Sequence, residues 1–344
     1  MAKKTIRSEA AETDRRLNRR QFGKLVATGG AVAAGIGTTS CATQDPAADQ
    51  KQRRSLTLAH LTDIHVWPRG GSEEAMAACL HHVQSHPQRP ELILNGGDAI
   101  MDCNNHDESF SRVQWELWQK VLKNECSLPV LSCIGNHDIW GTNYSISKTT
   151  GDEPLHGKQW ALKVLKMDAR YYSFERAGWH FIVLDSYQTV GEPGSGQLTA
   201  RLDEEQFAWL AADLAAVPRE TPVLVLSHAP ILSACAFYFS FFPPPHHEKT
   251  GSWILHGGTL HIDSRRIKDL FYNHPNVRLC LSGHIHLKDR VDYNGVTYLC
   301  NGAVSGNWWR GISQETPEGY GLVTLYEDGS FDHEYVAYGW KARE

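Results

Sequence analysis

The sequence predicts an α/β protein built on one mixed β-sheet, or on two mixed β-sheets packed face to face, with helices on the flanks. Apolar, strand-like runs alternate with amphipathic helical segments, which is typical of α/β crossovers. Hairpin-like pairs add antiparallel strands to these crossovers. The chain has 344 residues, 41% hydrophobic and 21% charged, which is enough to bury a large core.

The predicted elements follow in a regular order. Five apolar runs are typical of strands, at residues 56–62, 91–95, 129–134, 222–227 and 277–282. Helical spacing of apolar residues predicts helices at residues 73–86, 110–125 and 203–216. Turn residues predict three hairpins, centred on Ala177-Gly178, Asn294-Gly295 and Asp328-Gly329. Asn-Gly is the strongest of these signals because both residues tolerate the positive φ of a type I′ turn.

Two insertions interrupt this order. Residues 139–170 show no clear strand pattern, and residues 231–262 contain the segment AFYFSFFPPPHHEKTGSW. The three prolines at 243–245 exclude regular structure there, because proline lacks a backbone N–H and fixes φ. The aromatic side chains of this segment either pack onto the domain or line the mouth of a pocket, and the sequence favours neither alternative.

The N-terminus has the pattern of an export signal. Arg19-Arg20 stands two residues before Phe22 and is followed by a weakly apolar, Gly/Ala-rich stretch too short to span a bilayer stably. This resembles a twin-arginine signal, used by the twin-arginine export machinery for folded proteins. We therefore expect an exported protein, periplasmic or secreted.

The same pattern divides the chain. Small residues permit cleavage after Ala42, and lipidation of Cys41 is the alternative. The expected parts are a signal peptide at residues 1–42, a polar linker at 43–54 and one domain at 55–344. No transmembrane span is expected in the mature form.

The charge of the mature chain argues against a nucleic-acid polymer as a partner. Residues 1–42 carry eight Lys/Arg and three Asp/Glu, so their removal changes the formal net charge from −5 to −10. An acidic chain without a basic stripe is a poor match for a phosphate backbone. Seven cysteines remain, an odd number with no CxxC pair, which favours buried free thiols over disulfides.

Potential ligands follow each of the five strand-like runs. In chain order they are Asp63 and His65, Asp98, Asn136 and His137, His228, and His284 and His286. One such residue after a strand is usually a turn or core residue, but five sites in succession make that interpretation implausible. In open α/β sheets, the loops at the carboxyl ends of the strands converge on one crevice. We therefore expect these side chains to meet.

The donor types indicate transition metals. Carboxylate, imidazole and amide donors suit Mn, Fe or Zn better than calcium, which prefers oxygen alone. So many candidate ligands exceed the needs of one ion and fit two ions that share a bridging carboxylate. Glycines precede three of the sites, at Gly96-Gly97, Gly135 and Gly283, where the chain must turn sharply.

With these blocks in order, the sequence resembles the calcineurin-like metallophosphoesterases. The family blocks D-x-H, G-D, G-N-H-D/E, H and G-H-x-H are present as DIH, GGD, GNHD, SH and GHIH, between residues 63 and 286. The resemblance implies a two-sheet sandwich with a dinuclear metal site. It implies that Asp98 bridges the two ions and assigns the other ligands to two sets. The first set is Asp63, His65 and His286, and the second is Asn136, His228 and His284.

The resemblance also implies a mechanism. A metal-bridging hydroxide would attack the phosphoryl group, His137 would contact the phosphate and protonate the leaving group, and Asp138 would orient His137 through a hydrogen bond. Purple acid phosphatases have a metal-binding tyrosine three residues after the bridging aspartate, where this chain has Met101. With His65 present, the chain is more similar to the class III cyclic-nucleotide phosphodiesterase branch.

Substrate contacts are predicted downstream of the last hairpin, in GAVSGNWWRG. Trp308, Trp309 and Arg310 either bind an aromatic or anionic group of the substrate or are core and solvated residues. The favoured function is hydrolysis of a small-molecule phosphodiester. A phosphomonoesterase of the same fold and a metal-binding, non-catalytic relative are the alternatives.

Overall fold

The computed structural model describes residues 53–239, 246–247 and 250–342. The predicted signal peptide, its cleavage or lipidation site and most of the linker lie outside these residues. No helix in the described part of the chain is long and apolar enough to cross a membrane.

The described residues form fifteen strands and six α-helices. The strands are β1 Arg54–Leu61, β2 Leu92–Asn95, β3 Val130–Ser132, β4 Tyr172–Arg176, β5 Trp179–Val183, β6 Tyr187–Thr189, β7 Leu198–Ala200, β8 Val223–Leu226, β9 His246–His247, β10 Ser252–Trp253, β11 Val277–Ser282, β12 Asp289–Tyr293, β13 Val296–Cys300, β14 Gly319–Tyr326 and β15 Phe331–Ala337. The helices are α1 Ser72–Ser85, α2 Glu108–Glu125, α3 Tyr144–Ser147, α4 Gln159–Leu165, α5 Glu204–Ala216 and α6 Ser264–Tyr272.

Two mixed sheets carry the fold. The first has the order β15-β14-β1-β2-β3, and the second has the order β12-β13-β11-β8-β5-β4. β1, β2 and β3 are parallel, as are β5, β8, β11 and β13, while the predicted hairpins supply the antiparallel edge strands of each sheet. All five predicted strands, the three helices and the three hairpins are confirmed.

The core confirms the sandwich arrangement. Leu56 and Leu58 of β1 belong to a buried cluster that also contains Phe181 and Leu224 of the second sheet. Because side chains alternate along a strand, the intervening residues of β1 face the other way, and Ala59 packs in the cluster shared with α1 and α2. A third cluster joins the second sheet to α5 and α6. Two sheets therefore pack face to face between two layers of helices.

Capping explains where two helices begin. The Asp107 carboxylate accepts a hydrogen bond from the N–H of Phe110, and Asp203 accepts one from Gln206 in the same way. α2 therefore begins at Glu108, two residues earlier than predicted. Insertion 139–170 contains the short helices α3 and α4. All seven cysteines downstream of Cys41 are free, as predicted.

Candidate metal centre

Parallel strand order brings the predicted ligands to one edge of the sandwich. Each ligand follows the carboxyl end of a strand: β1, β2 and β3 in the first sheet, and β8 and β11 in the second. Because the two sheets pack face to face, these ends open onto one crevice. Seven side chains reach it: Asp63, His65, Asp98, Asn136, His228, His284 and His286.

The first ligand set is compact and buried. The Nε2 atoms of His65 and His286 lie 3.2 Å apart, and they lie 3.8 and 3.4 Å from Asp63 Oδ1, respectively. The side chains of Asp63 and His65 are fully buried, and that of His286 is nearly so. This set is well placed to hold one ion.

Asp98 lies between the first set and the second. Its Oδ2 atom is 3.1 Å from His228 Nε2 and 3.7 Å from His65 Nε2. Ligand atoms of Asp98, His228 and His284 all lie within 4.8 Å of one another. One carboxylate thus faces both sets, which is the arrangement that a bridging ligand requires.

Backbone conformation aims several of these side chains. Asp63, His65, Asp98, His284 and His286 all adopt the left-handed region, with φ between 49° and 69°. Non-glycine residues rarely adopt this region, and such strain is concentrated at functional sites. Backbone hydrogen bonds between the loops stabilise this conformation. The N–H groups of Asp63 and His65 donate to the carbonyl oxygens of Gly97 and Asp98, respectively.

Hydrogen bonds fix the tautomers of three histidines. The Nδ1 atoms of His65, His228 and His286 lie 3.3, 2.7 and 2.6 Å from the backbone oxygens of Ile100, Gly96 and Gly306. A carbonyl oxygen only accepts, so each Nδ1 carries the proton. In the neutral rings, each Nε2 therefore presents a lone pair to the crevice, as in metal-ligating histidines.

The donor atoms fit metal ions. Buried polar atoms without a hydrogen-bond partner converge here: Asp63 Oδ1, Asn136 Oδ1, His228 Nε2 and His284 Nε2. The two Nε2 lone pairs of the first set also face each other at 3.2 Å, which is repulsive unless a cation lies against them. Buried polar groups normally have partners, so this concentration of unpaired acceptors matches two coordination sites.

The pKa values favour the ligand forms of His65, His284 and Asp63, whereas burial lowers the pKa of His228 but Asp98 and Asp63 outweigh it and raise it to about 9. Burial lowers the pKa of His65 and of His284 to about 3, so both imidazoles are neutral. Burial alone would raise the pKa of Asp63, but His286 and His228 outweigh it and hold that pKa below its ordinary value. Neutral imidazoles and an ionised carboxylate are the forms that bind metal.

His137 lies beside the ligands without belonging to either set. It sits on a 3-10 turn, Asn136–Asp138, and its backbone N–H donates to Asp98 Oδ1 at 2.8 Å. Its Nδ1 atom lies 3.5 Å from Asp102 Oδ1. Burial lowers the pKa of His137, but Asp98 and Asp102 outweigh it and raise it to about 9. The imidazole is thus placed to carry a proton at the cavity.

The predicted hydrogen bond from Asp138 to His137 is wrong. The Asp138 carboxylate instead accepts from the backbone N–H groups of Asp98, Ala99 and Gly135, at 2.9, 3.0 and 2.9 Å. The 3-10 turn directs Asp138 inward beneath the backbone while His137 faces the cavity. Asp138 therefore joins the loops that follow β2 and β3, and Asp102 is the carboxylate that faces His137.

The three predicted substrate residues have different environments. Trp308 is half-buried and lines the cavity, with its ring 4.0 Å from that of His65. Trp309 is buried and donates from Nε1 to the His65 backbone oxygen at 2.8 Å, so substrate contact is wrong for this residue. Arg310 is exposed and is not among the described residues that line the cavity, which matches the alternative of a solvated arginine.

A cavity of about 590 Å³ extends from the ligands. Beyond them, its walls come from the β6–β7 hairpin and from insertion 231–262, which contributes Phe239 and His256. Tyr238 and Trp253 of the same insertion are exposed. Both alternatives for the aromatic insertion hold for Phe239, which lines the pocket and also packs against a hydrophobic cluster that contains Cys235 and Ile285.

Replacing Gly135 with alanine is expected to reduce metal binding. A Cβ atom there would overlap the backbone nitrogen and Oδ1 of Asp98, so the bridging carboxylate would have to move. Elemental analysis of the purified variant should show fewer than two metal equivalents. Gly178→Ala, in the β4–β5 turn, is the control: its Cβ meets no atom within 4 Å, and only its positive φ is strained. Full metal content in Gly135→Ala would contradict this account.

Comparisons with known proteins agree with this geometry. A 3′,5′-cyclic-nucleotide phosphodiesterase of Nostoc is 26% identical over 292 residues, covering 81% of this chain and 91% of the relative. The 3′,5′-cyclic adenosine monophosphate phosphodiesterase CpdA of Escherichia coli is 23% identical and covers 81% and 88%. A dimetal phosphatase of Danio rerio has a similar fold, with a TM-score of 0.58 and 15% identity over 83% of this chain and 97% of that chain.

The family assignment follows from a match over most of the domain. The sequence model of the calcineurin-like phosphoesterases matches residues 56–288, which contain every candidate ligand. The chain belongs to the calcineurin-like phosphoesterase family and is a metal-dependent phosphoric ester hydrolase.

Proposed function

We propose that the chain is an exported phosphodiesterase that uses two transition-metal ions, Mn, Fe or Zn, to hydrolyse small phosphodiesters. The cavity carries this proposal, because it extends well beyond the ligands and leaves room for the substituents of a small phosphodiester. The two cyclic-nucleotide phosphodiesterases among its relatives support 3′,5′-cyclic nucleotides as candidate substrates.

The residues divide the chemistry among them. Held by the two ligand sets, the ions would supply Lewis-acid activation of the phosphate and of the attacking water. Asp98 faces both sets and, through Oδ1, holds the backbone of His137. His137 contacts the phosphate and donates a proton to the departing oxygen, while Asp102 favours the protonated imidazole and limits its rotation.

The walls of the cavity favour an uncharged substituent. Among the described residues that line it, none is a lysine or an arginine. The neutral groups Asn104, Gln197 and Thr199 and the apolar groups Leu198 and Phe239 contribute to it instead. A second anionic group would lose hydration there without gaining a partner. This favours a diester whose charge lies on the reacting phosphate.

Hydrolysis is expected to depend on metal and to favour a diester. The mature protein, stripped with a chelator and reloaded with Mn²⁺, should hydrolyse a chromogenic phosphodiester faster than the matching monoester, and the stripped protein should be inactive. Reloading with Mg²⁺ is the control, because nitrogen-rich sites select against it. Monoester turnover alone would make the chain a phosphatase, and metal binding without turnover of either ester would make it a non-catalytic relative.

Export rests on the N-terminal sequence. Arg19-Arg20 and the Gly/Ala-rich stretch after it support passage through the twin-arginine machinery. Cell fractionation tests this: Arg19→Lys combined with Arg20→Lys should retain the protein in the cytoplasm. An unchanged distribution would refute this route.

A further inference from the structure

One loop contacts every member of the first ligand set. In residues 302–311, Ser305 Oγ donates to the backbone oxygen of Asp63 at 2.7 Å, and Trp309 Nε1 donates to that of His65 at 2.8 Å. The Gly306 oxygen accepts from His286 Nδ1 at 2.6 Å. These three bonds tie the loop to both segments that supply the first set.

Trp308 covers the imidazoles of that set. Its ring centroid lies 4.0 Å from that of His65 and 4.9 Å from that of His286, at interplanar angles of 34° and 28°. It also lies 5.0 Å from the His137 ring, at 65°. One indole therefore contacts two candidate ligands of the same ion and the proposed proton donor.

The backbone is strained to put the indole there. Trp308 and Trp309 are consecutive residues with φ of 54° and 65°, a conformation that is costly for bulky side chains. The Trp309 N–H donates to the Ser305 oxygen at 2.8 Å and closes the turn. This turn places the Trp308 indole against the ligand imidazoles.

The two ligand sets differ in their access to the cavity. Asp63 and His65 of the first set are fully buried and do not line it, whereas His286 does. Asn136 and His284 of the second set are half-buried and line it, whereas His228 is fully buried and does not. The first set therefore offers one side chain to the cavity and the second set two, and the indole lies on the two imidazoles of the first set.

We propose that Trp308 is a positioning residue that slows release of the metal ion held by the first ligand set. This ion is then retained while the ion held by the second set exchanges. The inference rests on the proposed two-metal function. An imidazole gains positive character when it binds a cation, and the face of an indole attracts such charge, so the stack stabilises the loaded state more than the empty one. It also restricts His65 and His286 to orientations that point Nε2 at the ion.

The test measures metal release without substrate. Wild-type protein loaded with two equivalents of Mn²⁺ should lose one quickly to excess chelator and the other slowly, as followed by elemental analysis of desalted samples. In Trp308→Ala the slow equivalent should leave about tenfold faster, and in Trp308→Phe the change should be smaller because a ring remains. Asn307→Ala, an exposed residue of the same loop, should release metal like the wild type.

Further variants assign the two equivalents to their sites. The slow equivalent should be absent in Asp63→Asn and present in Asn136→Ala. Paramagnetic Mn²⁺ should also quench indole fluorescence as it fills the site of the slowly released equivalent. The chain has eleven tryptophans, so the quench is a fraction of the total fluorescence, and Trp308→Phe should lose the part that comes from Trp308. Circular dichroism of each variant separates these effects from misfolding.

Metal content and metal release distinguish failure of the proposed function from failure of the role of Trp308. A protein that binds no Mn²⁺ would refute the two-metal function itself. If both proteins bind two equivalents and Trp308→Ala releases the slow equivalent at the wild-type rate, the role of Trp308 is overturned. The proposed function would remain intact. An unchanged fluorescence quench in Trp308→Phe would overturn the role of Trp308 as well.

Discussion

Replacing Asp98 with asparagine is expected to lower turnover of a phosphodiester by roughly a thousandfold and to remove metal at the same time. Asp98 Oδ2 faces His228 at 3.1 Å and His65 at 3.7 Å, so one oxygen serves both ligand sets. An asparagine has no negative charge to share between two cations, and its amide nitrogen would place hydrogens towards one of them.

Steady-state kinetics and elemental analysis on the same preparation check this result. Asp292→Asn is the matched control, because it makes the same chemical change at an exposed carboxylate paired with Arg290 on β12. The control should keep both metal equivalents and its activity. Asp98→Asn with two tightly bound ions and undiminished turnover would refute the bridging role.

The ligands could be predicted because their position depends on topology alone. Each predicted ligand follows a strand, and parallel strands must bring their carboxyl ends together whatever the loops do in detail. Five of the seven also adopt positive φ, a feature that the sequence does not signal at residues other than glycine and asparagine. The pattern therefore predicts which side chains meet, and the backbone strain that aims them is visible only in the structure.

Residues around the ligands were harder to predict because they depend on the direction of single turns. The sequence pattern predicts that Asp138 faces His137, but a 3-10 turn directs the carboxylate to three backbone N–H groups. Asp102, four residues after the bridging carboxylate, faces His137 instead, and no motif in the sequence singles it out. Trp308 and Trp309 are consecutive left-handed residues, and the turn that they form sends Trp309 to the core and Arg310 to solvent.

Replacing His137 with asparagine is expected to slow turnover by about a hundredfold to ten-thousandfold while both metal equivalents stay bound. The side chain of His137 belongs to neither ligand set, and the bond that its backbone N–H donates to Asp98 Oδ1 does not depend on the side chain. The variant should thus lose the proton donor and keep the binding site. Metal content separates this loss from that of Asp98→Asn.

The leaving group decides whether His137 acts as an acid. An alkoxide is a poor leaving group and needs a proton as the P–O bond breaks, whereas a nitrophenolate leaves readily without one. His137→Asn should therefore be impaired far more on an alkyl diester, such as a cyclic nucleotide, than on a nitrophenyl diester. Asp102→Asn should show the same selectivity with a smaller loss, because it removes the carboxylate that lies 3.5 Å from His137 Nδ1 but leaves the imidazole. Equal impairment on both substrates would assign His137 to phosphate binding instead of proton transfer.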